Sequence, residues 1–434
     1  MRNGVLTGVA WLTFMASGVA QNTASSVQIG TRQTSTQNQS GSNLRSTVTQ
    51  GNGSDVSANT YNQSKTDQSG TYQTATVRQA DGANANQALI EQIGDNRSAG
   101  GSGNTASIDQ TGVSTGNTAR ISQSGGASTA TIRQEAVSTQ NRATLTQVGD
   151  GNGAMIRQST FSGGAGVGNV ATLYQQGSHN TQTRIDQQNG SAQNRAYLNQ
   201  YGSGNGETRI SQSNGSHNNT ARIDQGGDGP NGTYGAYGYA VNGGRAIIEQ
   251  NNVSRDNVAR IGQSGNGHDA QIYQNNNVSN SEAYIDQYPG GAGHNVGSIR
   301  QENQTSGYVR ITQNQGTYPG VGNGQNEARA FQGSLSYGVS SGNVLTIVQE
   351  NGGNRSFAEQ FGTDNRMEIK QYGNGNLVFG PGSDNRPAGL AHQDGVMNRA
   401  FITQTSTGGV ANTAYLSQSG RGNTATIIQN GSPN

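Results

Sequence analysis

The stretch Asn104-Thr105-Ala106-Ser107-Ile108-Asp109-Gln110 decides the fold, because its pattern returns four more times before residue 159. It comes back as Asn117, Ala119, Ile121, Gln123, then as Ser128, Ala130, Ile132, Gln134. Asn141, Ala143, Leu145, Gln147 and Asn152, Ala154, Ile156, Gln158 complete the series. In every copy the recurrent residues fall at alternate positions, so a strand points Asn, Ala, Ile and Gln to one face and the variable residues to the other, whereas a helix scatters them. Successive glutamines lie 13, 11, 13 and 11 residues apart, which makes a two-strand unit of 24 residues with a short, glycine-bearing turn after each strand. A fixed period of this length marks a stacked repeat architecture.

Only 29% of the 434 residues are hydrophobic and 67 are glycine, too little apolar mass for several conventional cores. Composition alone reads as a disordered low-complexity chain. A disordered chain, however, has no reason to place Ile, Leu or Val two residues before Gln some twenty times. Residues 1–20 read as a secretory signal, with Arg2 as the charged start, an apolar run from Val5 to Met15, and the small residues Gly18-Val19-Ala20 for cleavage. Export usually brings disulfides to small domains, yet the chain has no cysteine, so its stability must come from stacking and hydrogen bonds. Without Arg2 the mature chain carries twenty-five basic and twenty-five acidic residues. It has none of the positive bias that nucleic-acid binding requires, and little net charge to keep copies apart.

The closing glutamines run 28, 39, 50, 63, 79, 92, 110, 123, 134, 147, 158, 175, 187, 200, 212 and 225, then 250, 263, 274, 287, 301, 313, 332, 349, 360, 371, 393, 404, 418 and 429. These thirty candidate strands predict an all-β fold, a β-solenoid of about fifteen strand-turn-strand repeats with two facing parallel sheets. Residues 21–50 are degenerate N-terminal repeats or a secretion segment, with Ser26 and Gln37 in the Ile position, and 51–434 form the repeat domain. Seven gaps between glutamines exceed fourteen residues. Five follow the second strand of a pair, which predicts insertions gathered at one edge. The gaps after Gln225, with Tyr234, Tyr237 and Tyr239, and after Gln371, with Leu377, Val378 and Phe379, are long enough to hold a strand that lost its glutamine. The prolines at 230, 289, 319, 381, 387 and 433 avoid strand interiors. Gly112, Gly125, Gly149, Gly177, Gly202, Gly227, Gly265 and Gly420 each sit two residues after a glutamine, where the reversing chain favours φ > 0.

Folding each pair of strands brings two inward faces together across ~10 Å, with Ala and Ile filling the space. A buried amide without partners costs roughly 1 to 3 kcal/mol, so Asn and Gln at the ends of the inward row must be paired. Stacking pairs them if each amide bonds the same residue one rung up and one down, forming Asn and Gln ladders. The predicted core ladder therefore includes Asn104, Ala106, Ile108, Gln110, Asn117, Ala119, Ile121, Gln123, Asn141, Ala143, Leu145, Gln147, Asn152, Ala154, Ile156 and Gln158. Outward positions carry the charge, and Arg184 shares a face with Asp186 as Arg222 does with Asp224.

Gln147-Val148-Gly149-Asp150-Gly151-Asn152-Gly153-Ala154-Met155-Ile156-Arg157-Gln158 resembles the curlin repeat, Gln-x-Gly-x-x-Asn-x-Ala-x-x-x-Gln, throughout. So does Gln418-Ser419-Gly420-Arg421-Gly422-Asn423-Thr424-Ala425-Thr426-Ile427-Ile428-Gln429, while Gln263 to Gln274 matches with His268 in the Asn place. The resemblance extends in weakened form over nearly the whole mature chain. It implies a curli-type major fibre subunit, secreted unfolded through an outer-membrane secretion pore and joined by a nucleator subunit. Such a subunit assembles as extracellular functional amyloid on the bacterial cell surface, in a biofilm matrix that serves adhesion and cell aggregation.

The expected partner is a second copy of the chain, stacked head to tail through the polymerisation edge Asn423, Ala425, Ile427 and Gln429. Proline at Ala425 and Ile427 is the substitution the sequence suggests for blocking it. No catalytic, cofactor-binding or metal site is expected: His179, His217, His268, His294 and His392 are far apart in turns, without carboxylate or nucleophile spacing around them. Calcium-binding repeats need a recurring Gly-Gly-x-Gly-x-Asp, hinted at only around Gly226-Gly227-Asp228. An ice-binding face needs Thr-x-Thr on every rung, and Thr144 with Thr146 supplies only one. The rival readings are a monomeric β-solenoid surface adhesin or spacer, which needs polar caps at both ends, and a fibre nucleator.

Overall fold

The computed structural model describes residues 21–51, 60–94, 103–135, 139–159, 168–226, 243–265, 267–288, 294–314, 325–334, 340–380, 389–407 and 410–431. The signal read at residues 1–20, all six prolines, Gly227, and Tyr234, Tyr237 and Tyr239 lie outside them. Every regular element among the described residues is a β-strand, and every described pairing between strands is parallel. The chain divides into two compact units, Met1–Asn199 with Gln212–Asn214, and Gln200–Ser211 with Gly215–Asn434.

In the first unit consecutive strands alternate between two sheets. Thr23–Gln28, Arg45–Gln50, Thr74–Ala80, Thr105–Thr111, Thr129–Gln134, Gly153–Gln158 and Thr183–Gln188 stack in order in the first sheet. Thr34–Ser42, Gln63–Thr71, Gln87–Gly94, Thr118–Ser124, Arg142–Val148 and Val170–Gln176 stack in the second. The second unit repeats the arrangement, with Arg245–Glu249, Asp269–Asn275, Val296–Glu302, Glu327–Gly333 and Arg355–Phe361 in one sheet. Facing them are Thr220–Gln225, Val258–Gln263, Glu282–Tyr288, Tyr308–Asn314, Val344–Glu350, Arg366–Tyr372, Arg399–Ser406 and Thr424–Gly431. The fold is thus a β-solenoid with two facing parallel sheets.

Register is set by the buried columns. Ala106, Ala130 and Ala154 lie in line, as do Ile108, Ile132 and Ile156, and all are buried. Ala119, Ala143 and Ala171, with Ile121, Leu145 and Leu173, do the same in the opposite sheet. A one-residue slip would turn every one of these side chains outward, and each buried Ile contributes roughly 1.5 to 3 kcal/mol. Outward charges pair locally: Arg184 Nε lies 2.6 Å from Asp186 and Arg222 Nε 2.6 Å from Asp224, within their own strands. Arg260 then reaches Asp224 from the next rung at 3.8 Å.

The closing glutamines follow the sequence register with one shift. Gln63 opens its strand on the exposed side, and Gln68 takes the inward closing position in line with Gln39 and Gln92. Every candidate strand before it is therefore read correctly, but the long gap precedes this strand instead of following it. The expectation that insertions gather at one edge fails, partly for that reason and partly because the gap after Gln371 holds an insertion inside a rung. Residues 52–59, 160–167 and 335–339 lead from the first sheet to the second, while 95–102, 227–242 and 315–324 lead back. Leu377–Phe379 is not a repeat that lost its glutamine. Ser356 pairs with Val378 and Ala358 with Ala391, so Leu377–Phe379 and Ala391–Val396 are two halves of the rung closed by Gln393, divided by an insertion.

Two kinds of turn close the stack. After second-sheet strands a glycine column forms, where a Cβ on Gly125 (φ +114°) would strike the carbonyl oxygen of Gly149, and one on Gly149 (φ +108°) that of Gly177. The opposite turn is itself stacked, through bridges linking Thr31, Thr60, Asn84, Thr115 and Thr139 in the first unit. It places the residue before the next inward Asn or Ser in the left-handed region, as at Ala85 (φ 50°) before Asn86, Gln140 (φ 52°) before Asn141 and Asn280 (φ 49°) before Ser281. Val253, exposed at φ 62°, adopts the same conformation against the preference of a β-branched residue. Val253→Asn is expected to stabilise the second unit by about 1 kcal/mol, read as a higher urea midpoint.

Candidate functional site

The glutamines form continuous side-chain ladders. In the first unit Gln28 Nε2 donates to Gln50 Oε1 (2.7 Å), Gln50 to Gln79 (2.9 Å), Gln79 to Gln110 (2.8 Å), Gln110 to Gln134 (2.8 Å) and Gln134 to Gln158 (2.9 Å). The second sheet runs Gln39 to Gln68 to Gln92 to Gln123 to Gln147 to Gln175 at 2.8 to 2.9 Å. In the second unit the ladders end with Gln393 donating to Gln418 and Gln404 to Gln429, both at 2.7 Å. Every one of these bonds points toward the C terminus. The orientation is fixed by the other amide hydrogen, which goes to a backbone carbonyl of the facing strand, as in Gln110 Nε2 to Gln87 O at 3.0 Å. A flipped amide would set oxygen against oxygen there. The ladders are therefore polar, with acceptors facing one end and donors the other.

The expected Asn ladder holds only in places, where Asn180 Nδ2 donates to Asn152 Oδ1 (3.2 Å), Asn376 Nδ2 to Asn354 Oδ1 (3.1 Å) and Asn412 Nδ2 to Asn376 Oδ1 (3.0 Å), and elsewhere the asparagines solve the same problem differently. Asn86 Oδ1 accepts the backbone N–H of Asn117 (2.8 Å), Asn117 Oδ1 that of Asn141 (2.8 Å), and Asn141 Oδ1 that of Asn169 (2.7 Å). Asn104 Nδ2 donates to Gly125 O and Asn152 Nδ2 to Gly177 O, each at 2.8 Å. One methylene shorter than Gln, the Asn side chain reaches the backbone of the next turn more readily than the next amide. Ser128 serves as well: its N–H bonds Asn104 Oδ1 and its hydroxyl oxygen accepts the N–H of Asn152.

His268 also takes the Asn place, fully buried. Its Nδ1 accepts the N–H of Asn295 (3.0 Å) and its Nε2 lies 2.8 Å from Ser264 O, the pattern of a neutral ring. Burial pushes its pKa from the ordinary 6.5 down to about 4. Because the fold excludes the charged form, its contribution is complete above pH 6.5 and is lost as pH falls from 6.5 toward 4. About 3 kcal/mol of stability should disappear over that window, at ~1.4 kcal/mol per pH unit. His268→Asn is expected to remove this slope from urea midpoints measured between pH 7 and pH 4. His392 lies in strand Ala391–Val396, not in a turn, and Glu359, 2.9 Å away, raises its pKa. Among the described residues no cluster of His, Asp and Glu is arranged to hold a metal ion.

The C-terminal strand Thr424–Gly431 lies parallel to Arg399–Ser406, with Ala425, Ile427 and Gln429 in line with Ala400, Ile402 and Gln404. Unlike their counterparts deeper in the stack, these side chains are half-exposed, and Asn423 is exposed. Asn423 N–H bonds Asn398 Oδ1 (3.0 Å), and Gln429 Nε2 donates to Thr413 O (2.8 Å). Arg399 N donates to Asn423 O and Thr407 N to Gly431 O. In a parallel ladder alternate residues serve alternate sides, so residues 423, 425, 427, 429 and 431 bond their own stack, while Thr424, Thr426 and Ile428 direct N–H and C=O outward. Proline at Ala425 and Ile427 would therefore fray the last strand from its own chain before it disabled the edge. At the other end Thr23 N donates to Leu44 O and Thr34 N to Asn62 O. Ala24, Ser26, Ser35 and Gln37 consequently hold the outward backbone groups. The phases of the two edges are complementary.

Two parallel sheets closed on an Ala and Ile core, bounded by polar amide ladders and ending, among the described residues, in a rung with no further strand on it, define a β-solenoid protein built from a short strand-turn-strand repeat. Residues 408–431, which contain that rung, match the family model described as Curlin associated repeat. A search of curated proteins finds no match.

Proposed function

We propose that the mature chain is the structural subunit of an extracellular fibre of the curli-type functional amyloid class, formed by end-to-end stacking of folded solenoids in a biofilm matrix. The observation that carries this reading is the strand Thr424–Gly431, which continues the columns of the stack and, among the described residues, has no strand on its Thr424, Thr426 and Ile428 edge. The polar ladders support head-to-tail order. Gln418 and Gln429 present amide hydrogens, while Gln28 and Gln39 present Oε1 acceptors. Two C-terminal ends meeting face to face would set donor against donor, which disfavours a closed dimer. A heterologous contact of this kind leaves a free end after each addition and propagates.

Secretion through an outer-membrane pore and initiation by a nucleator subunit belong to this proposal as partners suggested by the likeness of residues 408–431 to the curlin associated repeat. A nucleator or surface spacer is the second reading, favoured by the polar inward residues Ser26, Ser35 and Gln37 at the N-terminal end. Incubating the purified mature chain and following thioflavin fluorescence and electron micrographs tests the first reading. Unbranched fibres are expected, and a chain that stays monomeric favours the second.

A further inference from the structure

The N-terminal end carries a polar core, and the polarity fades over the first turns. Ser26 stands in line with Val48, Val77 and Ile108, while Gln37 stands in line with Thr66, Ile90 and Ile121. Ser35 precedes Ser64 and Ala88 in the neighbouring column. Gln37 Nε2 donates across the interior to Ser25 O (2.8 Å), and Ser46 Oγ meets Thr66 Oγ1 at 2.7 Å between the two sheets. Gln37 Oε1 and Ser35 Oγ are buried without a partner among the described residues. The C-terminal rung is the opposite case: Ala414, Leu416, Ala425 and Ile427 present the ordinary apolar pattern.

In a head-to-tail joint the backbone phases and the glutamine ladders match, but the side chains do not. Leu416 would stack on Ser26 and Ile427 on Gln37, where the interior of the stack puts aliphatic on aliphatic. The hydrophobic term that dominates the internal steps beyond the first turns is largely missing at this one. Gln37 Oε1 and Ser35 Oγ, already buried without a partner among the described residues, gain none from the aliphatic and Ala side chains of the arriving rung.

We propose that Ser26, Ser35 and Gln37 make the N-terminal end a deliberately weak docking surface for the C-terminal rung of a second copy. The joint between copies is then held by backbone and glutamine bonds, is as poor in apolar stacking as the first turns but, unlike them, has no chain connection across it, and so sets both the elongation rate and the place where fibres break. This rests on the end-to-end reading above.

The test compares the wild-type mature chain with Ser26→Ile/Gln37→Ile, using seeded elongation and sedimentation of short oligomers. The double variant is expected to tighten the joint by about 100-fold, from two aliphatic contacts restored. Ser35→Ala, which removes only an unpartnered hydroxyl, should move the same way by a smaller factor. Circular dichroism confirms that each variant keeps its β content. If wild type and double variant associate equally, and both lose association on proline substitution at Thr426 and Ile428, the weak joint is refuted while end-to-end assembly stands. Weaker association of the double variant refutes it too. If neither sediments above the monomer, the assembly reading itself falls and this inference falls with it.

Discussion

Proline at both Thr426 and Ile428 is expected to slow seeded fibre elongation by at least about 100-fold while the chain keeps its folded stability. The last strand bonds its own stack through residues 423, 425, 427, 429 and 431, as the Arg399 N to Asn423 O and Thr407 N to Gly431 O bonds fix. Thr426 and Ile428 spend no backbone donor on the chain itself. Removing their N–H groups leaves two carbonyls of an arriving strand unpaired, at roughly 1 to 3 kcal/mol each, and sets two rings where that strand must lie. Thioflavin-monitored elongation from wild-type seeds reads the rate, and urea unfolding of the monomer reads the fold. Ala425→Pro/Ile427→Pro makes the useful contrast, because its prolines delete donors to Arg399 and Phe401 and should lower monomer stability as well. Extension of the Thr426→Pro/Ile428→Pro chain at the wild-type rate would show that this edge is not where fibres grow, and a surface spacer would become the better account.

The alternation of Asn104, Ala106, Ile108 and Gln110 made the strands, their facing and the parallel stack legible, because a period of two leaves one face to bury and identical rungs leave one register. What stayed hidden depends on short-range geometry that a repeat pattern does not encode. Gln63 and Gln68 share a strand of polar residues, Gln63-Ser64-Lys65-Thr66-Asp67-Gln68, in which no aliphatic residue says which glutamine closes. The insertion between Phe379 and Ala391 interrupts a rung whose halves look from the sequence like separate strands. The bonding of Asn86 and Asn117 to backbone turns on one methylene and on the left-handed residue before each Asn. Asn423, Ala425, Ile427 and Gln429 spend their backbone groups on their own stack, and the alternate positions Thr424, Thr426 and Ile428 direct theirs away from it. Inward side chains mark the core, whereas in a parallel sheet the outward-facing residues of the last rung hold its free donors. Ser26 and Gln37 were visible as departures from the repeat, but their meaning as an end surface needed the stacking order.

The second large effect is expected inside the first unit, where Gln134→Glu should destabilise the folded chain at pH 7 by at least about 4 kcal/mol. The replacement changes one atom. Gln134 is fully buried, accepts from Gln110 Nε2 at 2.8 Å, and donates through its own Nε2 to Gln158 Oε1 (2.9 Å), Asn141 O (3.1 Å) and Thr118 O (3.2 Å). An ionised carboxylate keeps the first bond and turns the other three contacts into oxygen against oxygen in a site closed to water. The carboxyl therefore stays protonated in the fold well above its unfolded pKa of ~4.3, with its O–H serving a single one of the three acceptors. Since the folded state then binds the extra proton, the ionisation penalty is absent below pH ~4.3 and grows by ~1.4 kcal/mol per pH unit above it, until the buried group itself ionises. Comparing urea midpoints of variant and wild type at each pH separates this slope from that of His268, which runs the other way and is common to both chains. Gln134→Leu sets the scale: it removes the same donor without adding charge, leaves Gln158 Oε1 buried and unpaired, and should cost about 2 to 4 kcal/mol independently of pH. A Gln134→Glu chain as stable as wild type at pH 7 would mean that the amide ladder carries little of the stack, and that Ala130, Ile132 and the backbone bonds hold the rung without it.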